Sequence, residues 1–226
     1  MQSRRKFLAG SLTFSLGAAA GASLLSTMPG SYAVASSAPG TARDNTREAA
    51  ASPAATVEKM ALPQPDTKRG KPLMEALLLR KSARKFKELG IPVQDLSNLL
   101  WASFGINRPD GKRTIPTAMN KQNLIVYAAM ETGIWRYVPE SHHLSKEAHI
   151  NLCALLGGAP VTLAYAAQDA FGCMHVGSAY QNVGLYCASA GFGNVVKATG
   201  LDIMKKYLSV PPGYELLILQ SVGRTA

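Results

Sequence analysis

One short run of the sequence places cations and a hydroxyl group close enough together to share a ligand. Arg80, Lys81, Ser82 and Arg84 fall in residues 80–84, at the end of a stretch with helical spacing. Arginine offers a planar fork of N–H donors, lysine a compact charge and serine a neutral hydrogen bond, so the group suits one phosphate monoester. We call residues 80–84 the basic segment. Taken alone, its pattern fits a solvated basic surface equally well.

A second group of polar side chains stands just before a stretch with strand character. Residues 116–122, which we call the amide loop, have the sequence Pro-Thr-Ala-Met-Asn-Lys-Gln. The amides of Asn120 and Gln122 each present a donor and an acceptor. They can therefore pair with the edge of a planar heterocycle, where carbonyls and ring nitrogens alternate. A helix cap would use similar residues, so this loop by itself does not identify a ligand.

A third pattern, from Gly177 to Gly193, predicts a tightly packing helix that ends at glycines able to adopt a left-handed conformation. These glycines follow a helix, whereas a dinucleotide fingerprint opens a helix after a strand, and the sequence has no Walker-type loop. His142 and His143 are adjacent and so cannot share a helix face as metal ligands. We also find no Ser-His-Asp or Cys-His arrangement suited to nucleophilic catalysis.

The elements that must position these groups alternate irregularly along the chain. Periodicity and turn residues predict a β-hairpin around Glu131-Thr132-Gly133. Irregular alternation of helices and strands favours an α+β fold over a doubly wound one. The predicted helices cover residues 72–80, 93–104, 145–156, 175–190 and 201–208, and the predicted strands cover 124–130, 134–138, 159–166 and 215–222.

Composition excludes some classes of protein, and the distribution of charged residues shows where along the chain the positive charge lies. The chain has 226 residues, 47% of them hydrophobic, which excludes a wholly disordered protein. The formal net charge of +10 suggests a polyanion as partner, yet residues 68–88 alone hold eight basic and two acidic residues. Basic residues interleaved with aromatics, helix-turn-helix patterns and zinc fingers are absent from the sequence. We therefore expect a small phosphate ligand and no nucleic-acid partner.

The N-terminal residues have the pattern of an export signal. Residues 1–35 contain three basic and no acidic residues, an apolar stretch from Phe7 to about Leu25, and the small-x-small site Ala33-Val34-Ala35. Arg4 and Arg5 followed by Lys6-Phe7-Leu8 resemble the twin-arginine subtype, which exports folded proteins. The sequence thus predicts a periplasmic protein that uses the twin-arginine translocation machinery. It would be membrane-anchored if the signal were retained.

Residues 36–66 have the composition of a flexible linker, rich in Ala, Ser, Thr and Pro. The folded domain is then predicted over residues 67–226. Of the three cysteines, Cys153 and Cys187 lie in apolar runs predicted as helical, which favours buried free thiols, although one disulfide plus a free thiol would also fit an exported chain.

The basic segment, the amide loop and the Gly177–Gly193 pattern, in this order, resemble the nitroreductase-like flavoprotein family. Residues 99–102 and 105–113 are similar to one branch of it, and the resemblance covers about residues 64–223. It implies an α+β homodimer with a central, mostly antiparallel sheet flanked by helices, and FMN bound at the subunit interface.

The resemblance also implies which residues bind FMN. The basic segment would hold the phosphate, the amide loop would lie by the ring and ribityl chain, and Thr199-Gly200 would face the reactive flavin nitrogen. The family often has Glu where this chain has Thr199, and a basic residue near the C-terminus, for which Arg224 is the candidate. The complete implied set is Arg80, Lys81, Ser82, Arg84, Pro116, Thr117, Asn120, Gln122, Thr199, Gly200 and Arg224.

The resemblance implies an oxidoreductase whose chemistry belongs to the flavin. The electron donor would be NAD(P)H or another reductant, and the acceptor a small organic molecule. A flavin-binding electron carrier, or a flavin-dependent dehydrogenase of the same fold, is the alternative. Tyr127, Trp135 and Tyr137 could stack on a substrate, although a role in the hairpin core is the favoured interpretation.

Overall fold

A seven-stranded antiparallel sheet forms the centre of the computed structural model, which describes residues 57–226. The strand order is β1-β4-β3-β2-β5-β7-β6, and each neighbouring pair is antiparallel. The strands are β1 Lys59–Ala61, β2 Leu124–Met130, β3 Gly133–Val138, β4 His143–Ala148, β5 Val161–Ala167, β6 Gly193–Lys197 and β7 Glu215–Gly223. The predicted α+β fold class is confirmed.

The described residues form four α-helices: α1 Leu73–Leu79, α2 Val93–Phe104, α3 Asp169–Ala190 and α4 Leu201–Tyr207. Helices α2, α3 and α4 cover the two faces of the sheet, and α1 packs against α3. The apolar sides of α2 and α3 join the larger core cluster, and Met204 of α4 joins the smaller one. Strand β2 serves both cores because its side chains alternate: Val126 belongs to the first cluster and Tyr127 to the second. Tyr127, Trp135 and Tyr137 are all buried, which confirms their role in the hairpin core.

The helix predicted over residues 145–156 is wrong. Residues His143–Ala148 form β4, which pairs with both β1 and β3, and a turn follows. Lysine, glutamate and alanine gave this stretch a helical character, but the pairing partners outweigh such local preferences. Lys146 of β4 makes such contacts with both neighbouring strands. Its ammonium lies 4.4 Å from the centre of the Trp135 ring on β3, and it pairs with Glu58, the residue before β1, at 2.8 Å.

The structure also contains two strands that the sequence patterns did not predict. Strand β6 begins at Gly193, two residues after Gly191 caps α3, and β1 lies within the stretch whose composition predicts a linker. Lys59 faces Ser145 of β4, and the following Leu62 is buried. Helix α3 begins at Asp169, six residues before its predicted start, where the Asp169 carboxylate accepts the N–H of Phe171 over 2.9 Å.

The predicted export signal and most of the predicted linker lie outside the described residues. Among the helices of residues 57–226, none is long and apolar enough to cross a membrane. Cys153, Cys173 and Cys187 are free thiols. Cys187 is buried in α3 as predicted, whereas Cys153 lies in a turn and is partly exposed.

Candidate functional site

The basic segment leaves the end of α1 and joins the edge of the sheet beside β6. The N–H of Arg80 closes the helix by donating to the carbonyl of Ala76 over 2.9 Å. Ser82 then pairs with Asn194 as an isolated bridge, and the N–H of Ala83 donates to the Asn194 carbonyl over 2.8 Å. These backbone contacts fix the path of the segment, while the side chains of Arg80, Lys81 and Arg84 remain exposed.

The cations of the basic segment have no counter-ions within residues 57–226. Some other basic residues pair with carboxylates, as Lys121 does with Asp169 and Arg136 with Glu147, each at 2.8 Å, whereas Lys85 and Lys87 just beyond the segment take part in no ion pair among residues 57–226. None of the ion pairs in the described part of the chain includes Arg80, Lys81 or Arg84. Uncompensated cations on a fixed backbone fit a phosphate group, which could accept charge-assisted hydrogen bonds from all three.

A buried amide network supports the strand that the basic segment joins. Gln220 of β7 donates through Nε2 to Oδ1 of Asn194 over 3.0 Å and to the carbonyl of Tyr180 over 3.1 Å, while the Tyr165 hydroxyl donates to its Oε1 over 2.6 Å. Gly184 of α3 lies against the same place: a Cβ there would be 3.8 Å from Arg80 Cγ. Sequence reasoning missed Asn194 and Gln220, because their importance comes from burial against distant elements.

Arg224 has its backbone beside the basic segment, but its charged group lies elsewhere. Its carbonyl accepts the N–H of Lys87 over 2.9 Å, next to the bridge between Phe86 and Thr225. The guanidinium lies 5.3 Å from the centre of the Phe192 ring. It lines a cleft of about 290 Å³ with residues that include Arg69, Asp95 and Tyr186. The structure thus brings only the backbone of this predicted residue to the basic segment.

The amide loop holds three residues in the left-handed conformation, which side chains other than glycine adopt rarely. Their φ angles are 52° at Met119, 53° at Asn120 and 49° at Gln122. Such conformations cost about 1–3 kcal/mol each and cluster at ligand sites. Gln122 donates through Nε2 to Oδ1 of Asn120 over 2.9 Å and to the carbonyl of Gly111 over 3.3 Å. This pairing leaves Asn120 Nδ2 and Gln122 Oε1 for a ligand. Pro116 and Thr117 form the start of the loop.

Helix α3 connects the amide loop to the basic segment. The loop contacts α3 at His175, and the basic segment contacts it at Gly184. Nine residues separate these positions, which corresponds to about 14 Å along the helix axis. Lys121 also reaches the start of this helix, where its ion pair with Asp169 contributes to lowering the pKa of that carboxyl group.

Thr199 and Gly200 lie at the opposite end of β6 from the pairing of Ser82 with Asn194. Gly200 has a φ of 94°, and a Cβ there would stand 2.9 Å from Leu156 Cδ2, so this position requires glycine. Thr199 is exposed. Nearby, the ammonium of Lys197 donates to the Leu156 carbonyl, and burial lowers its pKa.

A second cleft, which the sequence did not reveal, lies beside the turn after β3. It measures about 320 Å³, and Tyr137 and His142 are part of its wall. Burial lowers the pKa of His142, against the opposing effect of its hydrogen bond to the Pro63 carbonyl. His142 Nε2 is 3.0 Å from that carbonyl oxygen, and its Nδ1 is 2.8 Å from the Tyr137 hydroxyl. Ser97 donates to the same carbonyl over 2.5 Å. The hydrogen bonds of His142 and Ser97 therefore hold Pro63, and with it the segment after β1, in place.

Arg113 adjoins this second cleft and is 93% buried, with 7% of its side chain exposed. One guanidinium nitrogen pairs with Glu140 at 2.5 Å, and the group lies 4.8 Å from the centre of the Phe104 ring. Its Nε and Nη1 have no hydrogen-bond partner among the described residues. Burial alone would raise the pKa of the Glu140 carboxyl group, but the hydrogen bond and charge of Arg113 hold it below its usual value.

Comparison with known proteins gives consistent matches. The profile of the Nitroreductase family matches residues 77–224. A provisionally named nitroreductase of Methanocaldococcus jannaschii is 28% identical over 180 residues, covering 67% of this chain and 90% of that protein. The crystal structure of a provisionally named nitroreductase from Ralstonia eutropha superposes with a TM-score of 0.69 and 34% identity, over 74% of this chain and 90% of that one.

A nitroreductase from Bacteroides fragilis, solved with bound FMN, has the same fold at 16% identity. Its TM-score is 0.51, and the match covers 69% of this chain and 89% of that one.

Proposed function

The chain belongs to the nitroreductase family, and on that premise we propose that it is an exported FMN-dependent oxidoreductase. In this proposal the chain would hold FMN, whose chemistry would allow transfer of hydride or electrons from NAD(P)H or another reductant to a small organic acceptor. One observation carries the assignment of the cofactor. The basic segment presents three cations without carboxylate partners in residues 57–226, on a backbone that β6 holds in place.

The chain's own residues would bind and orient the cofactor. Arg80, Lys81 and Arg84 would hold the phosphate together with the Ser82 hydroxyl group. The free amide groups of Asn120 and Gln122 would pair with the polar edge of the ring or with the ribityl chain. FMN, when bound, supplies the hydride or electron transfer chemistry.

Two predicted positions have a less direct role in this proposal. Gly200 lets the chain turn sharply into α4, so that Thr199 stays exposed at the end of β6. Thr199 would then offer a hydroxyl group where other family members often offer a carboxylate. Arg224 would reach the phosphate only by leaving its place over the Phe192 ring.

The homodimer is part of the proposal, and the surface of α1 supports it. Leu78, Met74 and Leu73 expose 84%, 75% and 63% of their surface on this helix. Large apolar side chains grouped on one surface mark protein contacts more often than solvent-facing positions. The basic segment directly follows α1, so a partner covering α1 would lie next to the proposed phosphate site.

The colour of the purified protein tests the proposal. The protein should be yellow and should release FMN on denaturation. A colourless protein that also fails to bind added FMN would contradict the assignment of the cofactor.

The mass in solution tests the dimer. Light scattering should give the mass of a dimer, and a monomer with bound flavin would contradict the interface site. Bound flavin that is reduced but never reoxidised by small acceptors would favour the electron carrier instead.

A further inference from the structure

The amide loop is held by a buried histidine. The backbone N–H of Ala118 donates to Nε2 of His175 over 2.8 Å. His175 lies on α3 with 3% of its surface exposed. A backbone N–H can donate to Nε2 only when that nitrogen carries a lone pair, so the proton of the neutral imidazole is on Nδ1.

The second nitrogen of His175 has the partner that this tautomer requires. Nδ1 lies 2.7 Å from Oδ1 of Asn123, directly before β2. Asn123 in turn donates through Nδ2 to the carbonyl of Gln168 over 3.0 Å, and Gln168 is the residue before α3. The hydrogen bonds therefore form one chain from the loop through His175 to β2 and back to the start of α3.

This chain of hydrogen bonds supports a loop that would otherwise relax. The left-handed conformations of Met119, Asn120 and Gln122 persist only where the surroundings impose them. Two further tethers of the loop are the 3.3 Å hydrogen bond from Gln122 to the carbonyl of Gly111 and the ion pair between Lys121 and Asp169, each with 36% of its side chain exposed. Exposed pairs of this kind stabilise weakly. His175 is therefore the buried support of the loop.

We propose that His175 is a positioning residue, and that its neutral imidazole holds the amide loop in the shape that presents Asn120 and Gln122 to the flavin. The identity of the ligand rests on the proposed function, whereas the effect of His175 on the loop does not. Both ring nitrogens are occupied by the loop and by Asn123, so His175 acts through these neighbours.

Three variants separate this role from general packing. His175→Phe keeps a ring of similar size and removes both nitrogens, which leaves the Ala118 N–H without its acceptor. His175→Gln keeps one acceptor and one donor on a side chain of similar reach. Val176→Ala is the matched control, because Val176 is buried in the main core next to His175 and its loss affects packing alone.

Hydrogen exchange of the Ala118 amide in FMN-free protein gives the first measurement. We expect protection of the Ala118 amide in the wild type, in H175Q and in V176A, and loss of protection in H175F.

The second measurement is FMN affinity, together with the visible circular dichroism of the bound flavin. H175F should raise the Kd about 10-fold or more and change the dichroism, because an unpartnered backbone donor destabilises the bound loop, while H175Q should stay within about 3-fold of the wild type.

A protected Ala118 amide in H175F would overturn the proposal, as would a Kd that rises no more in H175F than in V176A. If H175F does not fold, His175→Asn replaces it, because the shorter amide keeps a partner for Asn123 but falls short of Ala118, and the same loss of protection is expected. A wild-type protein that binds no FMN would contradict the proposed function alone, since the exchange measurement needs no flavin.

Discussion

The N–H of Ala83 donates to the carbonyl of Asn194 over 2.8 Å, and this bond attaches the basic segment to the first residues of β6. Asn194 is itself held through its side chain by Gln220 of β7. The cations on either side of Ala83 are therefore fixed at their backbone before any ligand arrives. Such preorganisation reduces the entropy that binding would otherwise cost.

The first prediction concerns these cations. Arg80→Ala combined with Arg84→Ala should raise the Kd for FMN about 100-fold, because two charge-assisted hydrogen bonds to the phosphate are lost. Equilibrium titration followed by flavin fluorescence measures the change. Lys85→Ala with Lys87→Ala is the matched control, since it removes the same charge just beyond the basic segment and should alter the Kd little. Equal effects of the two double variants would argue for general electrostatic attraction instead.

The second prediction concerns Gly193 of β6, which packs closely against both the basic segment and the C-terminal residues. A Cβ at Gly193 would stand 2.5 Å from Thr225 Cγ2 and 2.8 Å from Ala83 Cβ. Gly193→Ala should therefore lower the free energy of unfolding by about 1–3 kcal/mol, as overpacking does.

Gly184→Ala is the control for this prediction, because its Cβ would have only ordinary contacts, at 3.6 Å and beyond. It should be neutral, or stabilise α3 by up to about 1 kcal/mol. Chemical denaturation of both variants makes the comparison. An unchanged G193A would show that the basic segment can move away from β6.

The third prediction concerns pH. The pKa of His142 is lowered in the folded protein, chiefly by burial, so the unfolded chain takes up this proton first as the pH falls. The stability associated with neutral His142 is present above about pH 6.5, the value for an unperturbed histidine, and is lost as the pH drops below it. The denaturation midpoint should therefore decrease between about pH 7 and pH 5. His142→Gln should show a smaller decrease over this range, and an identical pH dependence would refute the assignment to His142.

The fourth prediction concerns export. If residues 1–35 are a twin-arginine signal, Arg4→Lys together with Arg5→Lys should stop export while leaving the protein folded in the cytoplasm. Fractionation with an antibody against the folded domain measures this. Export that continues in the double variant would show that another route carries the protein.

Local patterns predicted the elements whose boundaries are local in origin. Helix α2 begins after Pro92 and ends before Gly105, as its spacing and end residues indicated. The turn at Glu131-Thr132-Gly133 likewise predicted the β2–β3 hairpin. Strand β4 was mistaken for a helix because its strand character depends on β1 and β3, which lie elsewhere in the sequence.

In the candidate site, too, the sequence predicted the residues that form a local pattern and missed those that depend on distant elements. The types and order of the residues proposed to bind the ligand suggested a phosphate and a planar heterocycle. The residues that support them, Asn194, Gln220 and His175, carry no local signal. Each is polar yet buried, and each finds its partners on elements that are distant in sequence. Only the folded chain shows that such side chains are satisfied.

Helix α3 touches the two halves of the proposed site at positions nine residues apart. The helix fixes the distance and the angle between the amide loop and the basic segment. Each residue inserted between the two positions would shift the contact with one relative to the contact with the other by about 1.5 Å and rotate it by about 100°. Substitutions between His175 and Gly184 leave this spacing unchanged, but insertions and deletions there would misalign both halves at once. The spacing between the two positions should therefore be a stricter signature of related proteins with this site than the identity of the residues in between.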